Sequence, residues 1–233
     1  MVWERLATAA VALALLTFSV NALTAPQAIT LQTADHVSVS ALVYEAPKAK
    51  AIILLFHQAD SSKAEYATIA PKLVNAGYTA LAIDQRSGGS LFEPNDTVAH
   101  LAKRASYADA KNDLVAALDW AKLRRLPVIL WGSSYSAALV FQVAAEYPDQ
   151  IAAVLAFSPG EYLETANEVS RAAAKVHVPI YVTSASSADE VEAARAILSA
   201  SPAPIRTQFE PRDGVHGSST LIETRNPKGA AEN

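Results

Sequence analysis

The chain has 233 residues, of which 51% are hydrophobic and 18% are charged, a composition typical of one ordered globular domain and not of a disordered chain. Its net charge is −4 and its basic residues are scattered, so it lacks the basic surface that nucleic acids require, and we expect no nucleic-acid partner. The sequence has no cysteine, which excludes disulfides and thiolate catalysis. Its five histidines show no metal-binding spacing, so we expect neither a metal nor a cofactor.

The first residues differ in composition from the rest of the chain. Residues 6–20 form an uncharged apolar run behind Arg5, shorter than the ~20 residues that a membrane-spanning helix needs. We expect residues 1–22 to be a signal peptide cut after Ala22, so that the protein is exported to the periplasm or secreted, with no stable membrane insertion afterwards. An uncleaved N-terminal membrane anchor is the alternative.

Regular alternation of strands and helices follows. Alternating apolar and polar residues at 29–33 and 37–44 predict a hairpin. The predicted strands beyond it are 51–56, 79–83, 128–131, 151–157, 179–183 and 205–209, and the predicted helices are 63–76, 107–122, 137–147 and 188–200. This order predicts an α/β fold with a doubly wound, mostly parallel sheet, in one domain over residues 26–225.

The late connections are short. Residues 158–178 leave room for one short helix around 168–175, so we expect a minimal cap and an open site. Residues 218–224 give barely two helical turns, and Pro227 and Gly229 discourage continuation, which predicts a shortened C-terminal helix. We therefore expect residues 226–233 to be a disordered tail.

The stretch LPVILWGSSYSAA, residues 126–138, carries the main chemical signal. A buried strand leads through Gly132-Ser133-Ser134-Tyr135-Ser136 directly into an apolar helix. A nucleophile elbow needs this strand, tight turn and helix, and it places its serine on a strained turn, so Ser134 is the candidate nucleophile. Ser136 stands where the pattern G-x-S-x-G has its second glycine. A plain turn whose serines cap the helix is the alternative.

Together these features resemble the α/β-hydrolase superfamily, in the style of its small dienelactone-hydrolase-like and carboxylesterase-like members. The resemblance runs from about residue 29 to about residue 223. It rests on the elbow, on a buried strand followed by His57-Gln58, on the loop DQRSGGS at 84–90, and on two late loops that contain Asp189 and His216.

The resemblance implies a triad in the chain order serine, acid, histidine. His216 is then the base, because it is the only histidine after both the elbow and a plausible acid loop. Asp189, behind the strand 179–183, is our choice of acid, and a charge at a helix N-terminus is its other explanation. Glu161, behind the preceding strand, is the reserve acid.

The family also needs two backbone donors for the oxyanion. The resemblance implies that these are the N–H groups of Tyr135, directly after the nucleophile, and of Gln58. His57 precedes the elbow, so we expect it to belong to the scaffold of the oxyanion loop and not to the triad.

The implied activity is that of a serine hydrolase. Such an enzyme would act on small or exposed carboxylic esters through an acyl-enzyme intermediate, with a small-molecule ester as its partner. An exported peptidase or amidase of the same fold and a non-catalytic binding protein of that fold are the alternatives.

Overall fold

The computed structural model describes residues 25–232, so the predicted signal peptide, residues 1–22, lies outside the described residues. Eight strands form one sheet in the order β1-β2-β4-β3-β5-β6-β7-β8. The strands are β1 (Gln27–Gln32), β2 (Ser38–Tyr44), β3 (Ile52–Phe56), β4 (Thr79–Ile83), β5 (Val128–Ser133), β6 (Ala153–Phe157), β7 (Ile180–Thr183) and β8 (Arg206–Phe209). β2 is antiparallel to both β1 and β4, and the remaining pairs are parallel, which confirms the predicted mostly parallel sheet.

Within residues 25–232, six α-helices accompany these strands. They are α1 (Ala70–Asn75), α2 (Asp96–Ala99), α3 (Lys111–Lys122), α4 (Tyr135–Glu146), α5 (Glu168–Ala173) and α6 (Ala188–Ala200). The helix predicted at 63–76 is instead a 3₁₀ turn, Lys63–Tyr66, followed by α1. Pro71 explains the division, because proline has no N–H to donate and is tolerated only in the first turn of a helix. No helix in the described part of the chain is both long enough and apolar enough to cross a bilayer.

The sheet carries packed side chains on both faces. Along the central strand β3, Ile52, Leu54 and Phe56 join a large cluster formed with α3, α4, α5 and α6, while Ile53 and Leu55 join a smaller cluster on the opposite face. This alternation is the two-residue period of a strand buried on both sides. The doubly wound arrangement is therefore confirmed.

The smaller cluster is covered by α1, by the 3₁₀ turn Lys63–Tyr66 and by aromatic rings. The rings of Trp131 and Phe157 stack at 4.4 Å between centroids, and Ile222 is buried beside the same cluster. A 3₁₀ turn, Gly217–Leu221, stands where a C-terminal helix would pack, which agrees with the predicted shortening. α5 is the predicted short helix between β6 and β7, so the cap is minimal.

The predicted disorder of residues 226–233 is wrong for the residues that the structure describes, 226–232. Asn226 is buried, and its Nδ2 donates hydrogen bonds to the carbonyl oxygens of Asp213 at 2.8 Å and Thr220 at 3.0 Å. Its Oδ1 accepts a hydrogen bond from the Gly229 N–H at 3.1 Å. The Asn226 side chain thus supplies hydrogen bonds to backbone groups that have no helix to pair with. The prediction considered only whether residues 226–233 could form a helix, and so it missed this contribution.

Candidate active site

Ser134 lies on the turn that joins β5 to α4. Its φ of 60° and ψ of −124° fall in a region that non-glycine residues avoid, and a hydrogen bond of 2.8 Å from its N–H to the Phe157 carbonyl holds it there. A Cβ atom at Gly132 would lie 2.5 Å from the Ser136 carbonyl oxygen, so glycine is needed where strand and helix pass each other. The local geometry is that of a nucleophile elbow.

His216 lies on the loop after β8 and reaches the elbow serine. Its Nε2 is 2.7 Å from the Ser134 Oγ, and its side chain is 41% exposed. With the Nδ1 proton directed at a carboxylate, Nε2 is free to accept the serine proton. The structure therefore brings together Ser134 and His216, two of the three predicted triad members.

The carboxylate that contacts His216 belongs to Glu190 and not to the predicted Asp189. Glu190 Oε1 lies 2.9 Å from His216 Nδ1. Both acids lie in the first turn of α6, but successive helical residues point about 100° apart, and Asp189 is exposed to solvent. The prediction of Asp189 is thus corrected by one position.

Glu190 is held as a carboxylate. Partial burial opposes its ionisation, but hydrogen bonds from His216, the Ser158 hydroxyl and the Ala185 N–H lower its pKa to about 2. A carboxylate in this state can orient the His216 ring and stabilise the imidazolium ion that forms when the serine proton moves.

The sequence contains a signal for Glu190 that the prediction did not use. Ser187 is the N-cap of α6, and Glu190 stands three residues later, which is the S-x-x-E pattern of a capping box. The box itself does not form, because the Ser187 side chain makes no cap hydrogen bond and Glu190 reaches past the N-cap residue. Here Glu190 Oε2 accepts a hydrogen bond of 3.1 Å from the Ala185 N–H, which turns its second oxygen toward the histidine loop.

The reserve acid, Glu161, has a different role. Its carboxylate accepts hydrogen bonds of 2.9 Å from the N–H groups of Val169 and Ser170 in the first turn of α5. It also accepts a hydrogen bond from the Ser170 hydroxyl. Glu161 is therefore a cap for α5, and the structure does not bring it to His216.

The predicted oxyanion donors differ in their availability. Tyr135 is the first residue of α4, so its N–H has no acceptor within the helix. The Gln58 N–H, by contrast, donates to the buried carboxylate of Glu65 at 2.9 Å. Gln58 is therefore not a free donor, which corrects this part of the prediction. The next amide along the loop is that of Ala59.

His57 is part of the scaffold, as predicted. It is fully buried, its Nε2 accepts a hydrogen bond of 2.9 Å from the Gln85 N–H, and its Nδ1 lies 2.8 Å from the Gln58 carbonyl oxygen. Burial lowers the pKa of His57 to about 4, so the ring is neutral near pH 7. The Ser136 hydroxyl donates to the His57 carbonyl, which gives the residue in place of the second glycine a structural use.

Two cavities lie near His216. One, of about 290 Å³, is lined by residues that include Tyr107, Tyr162 and Leu163, and the Tyr162 ring meets the His216 ring edge-on at 6.5 Å. The other, of about 320 Å³, includes His216, Gln58 and Arg225 in its wall. The second cavity therefore opens directly onto His216, and the first reaches the site through Tyr162.

Comparison with solved structures places this fold among hydrolases. The chain is similar to a dienelactone hydrolase from Anabaena variabilis, with 21% identity and a TM-score of 0.65 over 82% of this chain and 88% of that chain. It is similar to the esterase Pf2001 of Pyrococcus furiosus, with 18% identity and a TM-score of 0.63 over 82% and 84%. An esterase from an Arctic intertidal metagenomic library gives 20% identity and a TM-score of 0.63 over 79% and 82%. At such identities the likeness shows the fold alone.

The fold and its elbow define an α/β hydrolase. The family model described as serine aminopeptidase, S33, matches residues 47–187, more than half of the chain, so the chain belongs to that family of hydrolases. No curated protein matches the chain significantly.

Proposed function

We propose that the protein is a serine hydrolase of small or exposed carboxylic esters. The observation that carries the proposal is the continuous hydrogen-bonded path from the Ser134 Oγ through His216 to Glu190, with distances of 2.7 and 2.9 Å. A serine hydroxyl is a weak nucleophile unless a base accepts its proton, and this path supplies the base and a carboxylate to orient it.

The reaction proceeds through an acyl-enzyme intermediate. The Ser134 Oγ attacks the ester carbonyl carbon while its proton moves to His216 Nε2, and the resulting imidazolium ion pairs with Glu190. The tetrahedral intermediate then expels the alcohol, which takes the proton from His216. Water, deprotonated by the same Nε2, attacks the acyl carbon and releases the acid and the Ser134 hydroxyl.

The oxyanion of the tetrahedral intermediate needs two N–H donors. We assign this role to the N–H groups of Tyr135 and Ala59, because among the described residues neither amide has a protein acceptor, while the Gln58 amide is bound by Glu65. Fixed donors of this kind typically contribute ~3–4 kcal/mol each to transition-state stabilisation.

Substrate size follows from the cavities and the minimal cap. Cavities of about 290 Å³ beside Tyr162 and about 320 Å³ beside His216 support small acyl and alcohol groups. The similar solved structures include Est1E from Butyrivibrio proteoclasticus with bound ferulic acid, at 15% identity and a TM-score of 0.61 over 78% of this chain and 88% of that chain. The first cavity has Tyr107, Tyr162 and Leu163 in its wall beside the polar Arg104, Ser106 and Glu164, and its two tyrosine rings support an ester that carries a ring.

An amide substrate is the second candidate, favoured by the description of the matching family as a serine aminopeptidase. The same triad would serve, since acylation of serine is common to esters and amides.

Export of the protein remains a proposal that rests on the apolar segment 6–20 alone.

The nucleophile is tested with a fluorophosphonate probe and p-nitrophenyl esters of increasing acyl length. The wild type should be labelled and hydrolyse the short esters fastest, whereas Ser134→Ala should show neither property and keep its circular dichroism spectrum. Ser133→Ala and Ser136→Ala should still be labelled. A Ser134→Ala variant with undiminished esterase activity would show the assignment to be wrong.

A further inference from the structure

A buried carboxylate lies directly behind the catalytic serine and has no part in the mechanism above. Glu65, in the 3₁₀ turn Lys63–Tyr66, is 1% exposed. Its Oε1 accepts a hydrogen bond of 2.7 Å from the Ser133 Oγ, and its Oε2 accepts one of 2.9 Å from the Gln58 N–H. Both partners are neutral, although burying a carboxylate without a cation is costly, so its retention calls for an explanation.

The first partner connects Glu65 to the histidine loop. The Ser133 Oγ, which donates to Glu65, also accepts a hydrogen bond of 2.8 Å from the Ser218 N–H. Ser218 is two residues beyond His216. Between them, Gly217 approaches so closely that a Cβ atom there would lie 2.5 Å from the Ser133 Oγ. The loop that carries His216 thus packs against the Ser133 hydroxyl, whose orientation is fixed by its hydrogen bond to Glu65.

The second partner connects Glu65 to the oxyanion loop. By holding the Gln58 N–H, Glu65 fixes the peptide immediately before Ala59, the proposed oxyanion donor. The Gln58 side chain in turn donates a hydrogen bond of 3.1 Å to the Ser219 hydroxyl on the histidine loop. One carboxylate therefore joins the oxyanion loop, the elbow and the histidine loop.

We propose that Glu65, as a carboxylate, is a positioning residue that holds these three loops in the register that catalysis needs. This inference rests on the proposed function. It differs from a purely structural role in one respect, because it requires the ionised form. Both carboxylate oxygens of Glu65 accept hydrogen bonds, one from the Ser133 hydroxyl and one from the Gln58 N–H. A proton added to either oxygen would point at a donor, so one of these two hydrogen bonds would be lost.

The ionisation of Glu65 responds to pH near neutrality. Burial raises its pKa to about 7, against the effect of hydrogen bonds from Ser133, Gln58 and Ser61. Among the charged and titratable groups around Glu65, a positive charge on His216 favours the ionised form of Glu65. The Glu190 carboxylate lies on the other side of the His216 ring, hydrogen-bonded to its Nδ1. Tyr66, whose pKa burial raises well above its usual value, stays neutral.

Stability and activity then depend on pH in opposite directions. The folded pKa of Glu65 lies above its ordinary value of 4.5, so between about pH 4.5 and 7 the folded chain binds a proton that the unfolded chain has lost. The contribution of Glu65 to stability therefore decreases as pH rises through this range, while the carboxylate needed for catalysis accumulates. For a residue with a purely structural role, stability and activity would change with pH in the same direction.

Glu65→Gln tests the proposal, with Glu161→Gln as its control. Glu161 also accepts backbone N–H and serine hydroxyl hydrogen bonds, but it is exposed and caps α5. We expect Glu65→Gln to lower kcat by about 10-fold or more with a much smaller change in KM, since misplaced groups lose transition-state contacts more than substrate binding. Glu161→Gln should retain wild-type kcat.

The pH profile is the second readout. The wild type needs the Glu65 carboxylate in addition to an unprotonated base, so the acid limb of its kcat/KM profile should be steeper than that of Glu65→Gln. The difference in slope should approach about one factor of 10 per pH unit, which corresponds to one additional proton. The melting temperature, compared between pH 5 and pH 8, should also decrease more in the wild type than in Glu65→Gln.

A Ser133→Ala variant and labelling of the wild type by the fluorophosphonate probe complete the test. Should Glu65→Gln not fold, Ser133→Ala leaves Glu65 in place but removes its link to the histidine loop, and kcat should again fall. A wild type that resists the fluorophosphonate probe contradicts the proposed function. In a labelled enzyme, equal kcat and equal acid limbs for Glu65→Gln and the wild type overturn the role of Glu65.

Discussion

At the scale of single residues, two adjacent acids compete for the role of the acid in the proposed triad. Glu190 contacts His216 at 2.9 Å, whereas Asp189 points to solvent. Glu190→Gln keeps the shape of the side chain but loses the charge that orients and stabilises the imidazolium ion. We expect it to lower kcat by about 10³- to 10⁴-fold, the scale of such losses in serine hydrolases.

Asp189→Asn is the matched control, because it makes the same chemical change one position away in the same helical turn. Its kcat should stay within about threefold of the wild-type value, as for most exposed substitutions. Steady-state kinetics of both variants at one pH, with a p-nitrophenyl ester, provide the comparison. A large loss in Asp189→Asn together with a normal Glu190→Gln would restore Asp189 as the acid.

At the scale of elements, the histidine loop depends on Gly217. Its φ is +66°, and a Cβ atom there would lie 2.5 Å from the Ser133 Oγ, so Gly217→Ala must move the loop away from the elbow. We expect kcat to fall by about 100-fold or more, because a displacement of about 1 Å at a reacting group has this effect.

Gly77→Ala is the control for the backbone strain in Gly217→Ala. Gly77 also has a positive φ, of +90°, but the nearest atom to an added Cβ is the flexible Lys50 Cε at 3.2 Å. Both variants should lose stability, by about 1–2 kcal/mol for the strained backbone. Only Gly217→Ala should lose kcat. Comparable kcat losses in the two variants would mean that strain alone, without loop displacement, explains the effect.

The same elements show what the sequence can and cannot predict. The buried strands were predictable because their apolar runs differ from everything around them, and Ser134 and His216 follow from strand–turn–helix context and chain order. The acid was missed because the rotation of α6 depends on how the preceding loop enters the helix. Glu65 was not identified because its contacts join residues 58, 65, 133 and, through Ser133, 218, which only the finished sheet brings together.

At the scale of the whole molecule, Asn226 anchors the last described residues to the body of the domain. Its side chain serves the carbonyl oxygens of Asp213 and Thr220, which are polar atoms that lose a partner in Asn226→Ala. We expect a loss of about 2–3 kcal/mol. For a domain of this size that corresponds to a decrease in melting temperature of roughly 4–12 °C.

Thermal denaturation of Asn226→Ala and of Lys228→Ala provides the measurement. Lys228 is exposed two residues further along, so its variant should melt within about 1–2 °C of the wild type. Equal melting temperatures for all three proteins would mean that the hydrogen bonds of the Asn226 side chain contribute nothing measurable to stability.

The three members of the proposed triad are unequally placed in the sheet. Ser134 follows the central strand β5, whereas Glu190 and His216 follow β7 and the edge strand β8, in which two residues are exposed and two are partly buried. Sheet edges open at lower free energy than sheet centres. One local opening of β8 with α6 therefore separates base and acid together from a serine that stays in place. Moderate heating should therefore cause a reversible loss of activity, because β8 and α6 open locally at temperatures where most of the molecule is still folded.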